Sequence, residues 1–352
     1  MITIPIRNLW LLQLFASDFQ TSGEYIESGN EEIPDHIPSF VSSILADEVS
    51  ARLNTGLTTG FNRTAQTVDR VRGKIDILTT TRFNLLERGR VHCRFDQIDH
   101  DILSNRLALV ALHRAARLPG TDPRCRRLAD ELSRVGIRDS EPTRRERREL
   151  RKQRNLSRDR RMIAAAELML DLSIPEPGAG MDDVIAPKEN DSYLRDLFEK
   201  AVGGFYKRSL AAQGWQVQTG KQLTWKEEFS TPGMTAILPG MKTDIILRPP
   251  RSAPIIIDTK FTDVTRANQY QQQRLKSEYL YQMYAYVRTQ DKNPSLGPDT
   301  TGLLLHPVVN GTVREWTQIG THTFGVATVD LSANYLEIGE QLFRAIEMPD
   351  LA

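Results

Sequence analysis

Thr243-Asp244-Ile245-Ile246-Leu247 and Ile255-Ile256-Ile257-Asp258-Thr259-Lys260-Phe261 are two strand-like apolar runs, each interrupted by charge. The turn-forming Pro249-Pro250-Arg251-Ser252-Ala253-Pro254 separates them. Charges inside β-branched runs are costly unless something requires them there. Paired as a hairpin centred on Arg251, residue 244 falls opposite residue 258, and the period of two puts 258 and 260 on one sheet face. Two carboxylates and an ammonium group then share one spot on a rigid platform. That set suits a hard divalent cation beside a group that orients or activates a water. A structural ion pair would explain the D-x-K run alone. The buried character of Ile255–Ile257 and the second carboxylate across the hairpin favour the metal site.

Working outward, Tyr193, Leu194, Leu197, Phe198, Ala201, Val202, Phe205 and Tyr206 predict a helix capped by Ser192. Strands follow at Trp215–Gln218 and Leu223–Lys226. A helix over 272–289 carries Leu275, Tyr279, Met283 and Tyr286, and Gly302–Leu305 reads as a further strand. Helix, strands, helix, strand is the order of an α/β sandwich. Glu199, on the border of the first helix, is a candidate further carboxylate for the metal. Gln282 and Tyr286, four apart on the later helix, share a face and either buttress the site or touch DNA.

The first part of the chain mixes short elements: an amphipathic helix at Ser39–Leu53, strands at Val71–Leu78 and Val91–Phe95, and a helix at Asp101–Arg117 ended by Pro119-Gly120. From Arg138 to Arg161, eleven Arg or Lys stand against five Asp or Glu with almost no apolar residues. This reads as a solvated helix or as a contact for phosphate or an acidic partner. Met162–Leu172 is an apolar helix, and Pro175–Gly180 with the polar stretch to Asn190 forms a loop.

Composition narrows the class. The 352 residues, 39% hydrophobic and 26% charged, fit a soluble protein of two domains. No run reaches the length of a membrane span and the start lacks a leader pattern, so a cytoplasmic protein is expected. Cys93 and Cys125 leave neither a disulfide framework nor a zinc quartet, and the six histidines lack ligand spacing. Gly214–Lys221 has five residues between its glycines where a phosphate loop needs four, and Gln222 where Ser or Thr belongs. Any nucleotide dependence must come from a partner.

Asp244 with Asp258-Thr259-Lys260 is the pattern of the PD-(D/E)xK nuclease superfamily, and the wider sequence resembles the McrC family of modification-dependent (type IV) McrBC restriction systems. The resemblance rests on Ile4-Pro5-Ile6-Arg7-Asn8-Leu9, Arg72-Gly73-Lys74-Ile75, Phe95-Asp96 and Leu103-Ser104-Asn105-Arg106. It continues through the hairpin, Leu280-Tyr281-Gln282-Met283-Tyr284-Ala285-Tyr286 and Gly302–Leu305. It implies an α+β N-terminal domain over 1–160 that docks to a hexameric AAA+ GTPase, McrB, and stimulates its GTP hydrolysis. It further implies a PD-(D/E)xK endonuclease domain over 161–352, a mixed sheet flanked by helices. Asp244 and Asp258, with the Thr259 carbonyl, would hold Mg²⁺, and Lys260 would stand beside the attacking water. GTP would be bound by the partner, and the substrate would be modified double-stranded DNA of the methylcytosine type. Two departures stand out: Thr243 replaces the proline of the nominal motif, and the second acid is Asp rather than Glu. A regulatory subunit with a vestigial nuclease site and a stand-alone repair or recombination nuclease are the rival readings.

Overall fold

The computed structural model describes residues 3–17, 36–172, 184–185, 191–225, 229–267 and 273–349. In chain order the elements are β1 (Thr3–Ile4), α1 (Ile6–Ala16), α2 (Ile37–Thr55), β2 (Gly60–Val68), β3 (Lys74–Ile75), α3 (Ile77–Arg82), β4 (Val91–Asp99), α4 (Leu103–Ala115), α5 (Arg124–Arg134), α6 (Arg144–Lys152) and α7 (Arg160–Asp171). There follow β5 (Val184–Ile185), α8 (Asp191–Ser209), β6 (Gln216–Leu223), α9 (Pro232–Ile237), β7 (Met241–Arg248), β8 (Ile255–Thr259), β9 (Thr265–Ala267) and β10 (Gln273–Leu275). The chain ends with α10 (Ser277–Arg288), β11 (Thr301–Pro307), β12 (Arg314–Ile319), β13 (His322–Val329) and α11 (Tyr335–Ile346).

The chain divides into two compact units, one of residues 38–171 and one of residues 1–37 with 172–352. The expected break near 160 therefore differs from the observed one, and the first residues join the C-terminal unit. The physical reason is α1, an almost wholly buried helix that packs on α8. Asn8 Nδ2 donates to the carbonyls of Leu331 (2.7 Å) and Ala333 (2.8 Å), and Arg208 Nη1 donates to Phe15 O. Asn8 thus anchors the chain between β13 and α11, a structural task for the Ile4–Leu9 stretch. Gly204 permits the close approach, because a Cβ there would lie 1.8 Å from Phe15 O. Gly204→Ala should cost roughly 2–3 kcal/mol, read as a lower thermal midpoint. An unchanged midpoint would mean that α1 is free to move off α8.

In the C-terminal unit a six-stranded mixed sheet runs β12-β13-β11-β8-β7-β6. β8, β11 and β13 are parallel to one another, and the remaining pairs are antiparallel. α10 closes one face, with Met283, Tyr286 and Val287 in a core with Ile246, Ile256, Leu304 and Phe324. α8 covers the other face, where Gly203 meets Thr219 and Ile245, and Tyr206 OH donates to Leu342 O of α11. This is the expected α/β sandwich, with β8 buried along its whole length.

Several local expectations change. The two strands expected at Trp215–Gln218 and Leu223–Lys226 are one strand, β6, which continues through Gly220 at φ +63°. Residues 273–275 form β10 against β9 rather than the first turn of a helix, because Lys276 adopts extended geometry (φ −69°, ψ 116°) as N-cap of α10. α8 begins at Asp191, so Ser192 sits inside its first turn. Of the 175–190 loop only β5, which pairs with β1, falls among the described residues.

The other unit sets a three-stranded antiparallel sheet, β2-β4-β3, beside helices of which α4 packs on α5 and α7. The strand expected over 71–78 shrinks to β3 because Asp76 caps α3, accepting from the Thr79 N–H at 3.1 Å. Gly73 has φ +61°, and a Cβ there would lie 2.5 Å from Arg94 O, so the Arg72–Ile75 signature answers a backbone demand. Asn105 donates to the carbonyls of Thr58 and His100, and Arg106 forks onto the half-buried Asp101. The Leu103–Arg106 signature is therefore also structural. The basic 138–161 stretch is not one helix. A Thr143–Glu146 capping box opens α6, which ends at Gln153, and Arg147 and Arg151 pair with Asp171 and Glu167. Much of its charge is satisfied within the unit.

Candidate active site

The register of β7 against β8 pairs Ile245 with Ile257, Ile246 with Ile256 and Leu247 with Ile255, a hairpin centred on Arg251. The ladder ends at the Ile245–Ile257 pair; just beyond it Asp244 meets Thr259, and Asp258 meets Lys260, which reaches Gln282 of α10. On the far side of β7, between the Thr219–Ile245 and Lys221–Thr243 pairs, Gly220 lies level with Asp244 and offers no side chain there.

Asp244 is held by the residue that follows its opposite number. The Thr259 N–H and Oγ1–H both donate to Asp244 Oδ2, at 2.7 and 2.8 Å. Asp258 is 2% exposed, and its Oδ2 lies 2.7 Å from Lys260 Nζ. Burial, and secondarily the Asp244 charge, push the Asp258 carboxyl up to about 6, against the pull of Lys260. A buried acid whose charge a single ammonium only partly offsets, beside a second carboxylate, fits a hard cation.

Glu199 on α8 is half-buried and its carboxyl is also raised, by burial first and then by the Asp244 charge. It therefore stands in the electrostatic field of the site. Among the described residues, however, no three His, Cys, Asp or Glu side chains form a group able to hold a metal. Asp244 and Asp258 are the carboxylates that the fold brings together, and Glu199 is not joined to them as a third ligand. No polar contact of the Thr259 carbonyl bears on a metal role; the Thr259 groups seen at work are its donors to Asp244.

Gln282 and Tyr286 join Lys260 to the β7 backbone. Lys260 Nζ donates to Gln282 Oε1 (2.9 Å), Gln282 Nε2 donates to Tyr286 OH (2.7 Å), and Tyr286 OH donates to Lys242 O (3.0 Å). The chain runs from the ammonium through α10 back to the β7 backbone, fixing the direction in which Lys260 points. Gln282→Leu should lower cleavage about 10–100-fold with DNA affinity kept, as a kcat loss at constant KM. Equal loss in both would assign Gln282 to binding.

Three residues beside the site were not singled out for it by sequence. Tyr279 holds its ring 5.2 Å from Lys260 Nζ, centroid to nitrogen. His306 is fully buried, its Nδ1 3.0 Å from Thr262 O and its ring 5.8 Å from that of Tyr279. Burial pushes its imidazole down to about 4, so it stays neutral at pH 7. Lys276 Nζ lies 5.2 Å from the centroid of the same ring. The K-x-x-Y spacing at a helix start was the available signal, but extended geometry at 276 is invisible to helical periodicity.

Residues 9–296 match the model of a family described as McrBC 5-methylcytosine restriction system component. The chain belongs to that family. It is 24% identical over 344 residues, covering 96% of each chain, to the type IV methyl-directed restriction enzyme EcoKMcrBC of Escherichia coli (strain K12). Among solved structures, a half-complex of Thermococcus gammatolerans McrB AAA+ hexamers with bound McrC aligns at a TM-score of 0.44. That alignment has 14% identity and covers 96% of this chain and 75% of the other. A Thermococcus gammatolerans McrBC complex aligns at 0.36 with 16% identity, covering 58% and 59%. Both scores are too low to carry a structural argument. No helix among the described residues is long and apolar enough to cross a membrane.

Proposed function

We propose that this chain is the magnesium-dependent DNA-cutting subunit of a GTP-driven, modification-dependent restriction complex, and that it stimulates GTP hydrolysis by an AAA+ partner. The observation that carries the nuclease reading is that Asp258 lies against Lys260 and within the field of Asp244, with Lys260 tethered to Gln282. Asp244 and Asp258, with the Thr259 carbonyl, would hold Mg²⁺, which when bound would polarise the scissile phosphate and offset the charge developing on it. Thr259 keeps Asp244 aimed at the site through two hydrogen bonds. Lys260, directed by Asp258 and Gln282, orients or deprotonates the water that attacks in line. Intact acids and an intact lysine argue against a vestigial site.

The partner reading has its own support in the 38–171 unit. Phe61 and Ile98 face each other across β2 and β4, and both are exposed. Ile77 and Leu78 of α3 are exposed too, as are Phe83 and Leu86 just after it. Apolar exposure gathered in one small sheet and its helix marks a docking surface. Arg63, Arg72, Lys74 and Arg94 line a hollow on the same sheet. Family membership and the McrC resemblance point to an AAA+ GTPase as the occupant, with GTP bound there and recognition of modified DNA done there.

A nicking assay tests the enzyme reading. Full-length chain with its GTPase partner and GTP should cut methylated plasmid in Mg²⁺ and stop in EDTA. Cutting that persists in EDTA would exclude the metal mechanism, and partner-independent double-strand cutting would favour a stand-alone repair nuclease.

A further inference from the structure

Lys276 and Lys260 share one aromatic ring. Each Nζ lies 5.2 Å from the Tyr279 centroid. The two ammonium groups have unlike surroundings. Lys260 is neutralised by Asp258 and held by Gln282. Lys276 has no carboxylate within ion-pair distance among the described residues. Among the described residues its Nζ meets, besides the Tyr279 ring, two hydroxyls, Thr262 Oγ1 and Tyr279 OH, both at 3.4 Å.

A lysine without an acidic partner ordinarily extends its head into water. Lys276 is half-buried and turned back over Thr262 and Tyr279. Those two residues are themselves fixed from the sheet side. His306 is hydrogen-bonded to Thr262 O and packs its ring against Tyr279. The ammonium group is thus oriented, incompletely hydrogen-bonded and adjacent to the lysine of the nuclease site. A second anion, and not a second carboxylate of this chain, is what such a group lacks.

We propose that Lys276, with the Thr262 and Tyr279 hydroxyls, is a subsite for a DNA backbone phosphodiester next to the one that is cut. This rests on the nuclease reading of Asp244, Asp258 and Lys260. Its role is to set the register of the strand across the site: the scissile phosphate meets Lys260, and its neighbour meets Lys276, which shares the Tyr279 ring with it. Lys276 contacts phosphate and not a base edge, so it contributes affinity and placement without sequence preference.

The test measures binding apart from cutting. Full-length chain, assembled with its GTP-loaded partner, is titrated with a fluorescent methylated duplex in Ca²⁺ across a salt series. Removing one phosphate contact should lower the magnitude of the slope of log K against log[salt] by about 0.9 and weaken binding about eightfold near 0.1 M salt. Lys276→Ala should show both changes, Lys276→Arg should restore both, and all proteins should melt alike. Equal affinity and slope for wild type and Lys276→Ala, whether both bind or neither does, would overturn the subsite. So would a Lys276→Arg protein that behaves as Lys276→Ala. A complex that shows the slope change yet never cuts in Mg²⁺ would sink the nuclease reading and leave the subsite standing.

Discussion

Asp258→Asn and Lys260→Ala should each abolish cleavage, by about a thousandfold or more, while moving stability in opposite directions. The ionised Asp258 carboxylate is buried in the metal-free protein and opposed by Asp244, so its folded value rises from 3.8 to about 6. The sign follows from linkage. A raised folded value is a contribution to stability that is fully present below the unfolded value and lost as pH climbs through the folded one. The rise corresponds to roughly 3 kcal/mol lost across about pH 4 to 6. Asparagine carries no charge to bury, so the metal-free Asp258→Asn protein should melt at or above wild type at pH 8. Lys260→Ala removes the only ion-pair partner of Asp258 among the described residues. It should melt below wild type at pH 8 and recover toward pH 5, where Asp258 takes up a proton. Thermal melts at the two pH values, beside the plasmid assay, decide the matter. An Asp258→Asn protein that melts far below wild type at pH 8, or one that still cuts, would contradict this account. The fold thus keeps a destabilising charge that Lys260 relieves only in part, a common cost of a reactive site.

The second large effect concerns the partner. Leu78 is 83% exposed and Phe61 80% exposed, so neither contributes to the core of the 38–171 unit. An aspartate at either position costs the fold little. At the centre of a protein interface it would place a charge where an apolar anchor was buried. Leu78→Asp and Phe61→Asp should each weaken assembly with the GTP-loaded AAA+ partner at least 30-fold, about 2 kcal/mol or more. The double variant should eliminate GTPase stimulation. Circular dichroism and melting should match wild type, and cleavage should fail for want of assembly while Mg²⁺ still raises the melting temperature. Unchanged affinity by calorimetry would move the docking surface elsewhere on the chain.

The two effects separate cleanly because the residues lie in different units. Variants at Asp258 or Lys260 should assemble normally and stimulate GTP hydrolysis without cutting. Variants at Leu78 or Phe61 should do neither.

What the chain announces by itself is the hairpin. Its turn and its period of two set the register of Ile245–Leu247 against Ile255–Ile257 with no help from the rest of the fold, and that register brings Asp244, Asp258 and Lys260 to one end of the hairpin. The 3.6-residue spacing likewise put Gln282 and Tyr286 on one side of α10. Other features depended on distant contacts or on single backbone angles. Asp76 turned an expected strand into a cap, Gly220 let one strand pass for two, and extended geometry at Lys276 shortened α10 and set that lysine over Tyr279. The attachment of α1 to α8 joins residues nearly two hundred positions apart, and no local pattern signals it. Local periodicity thus determined the hairpin that carries the candidate site. Which unit α1 belongs to, what holds Lys260 in place and which lysine stands without an acid were decided by tertiary packing, because each depends on neighbours that sequence spacing does not bring together.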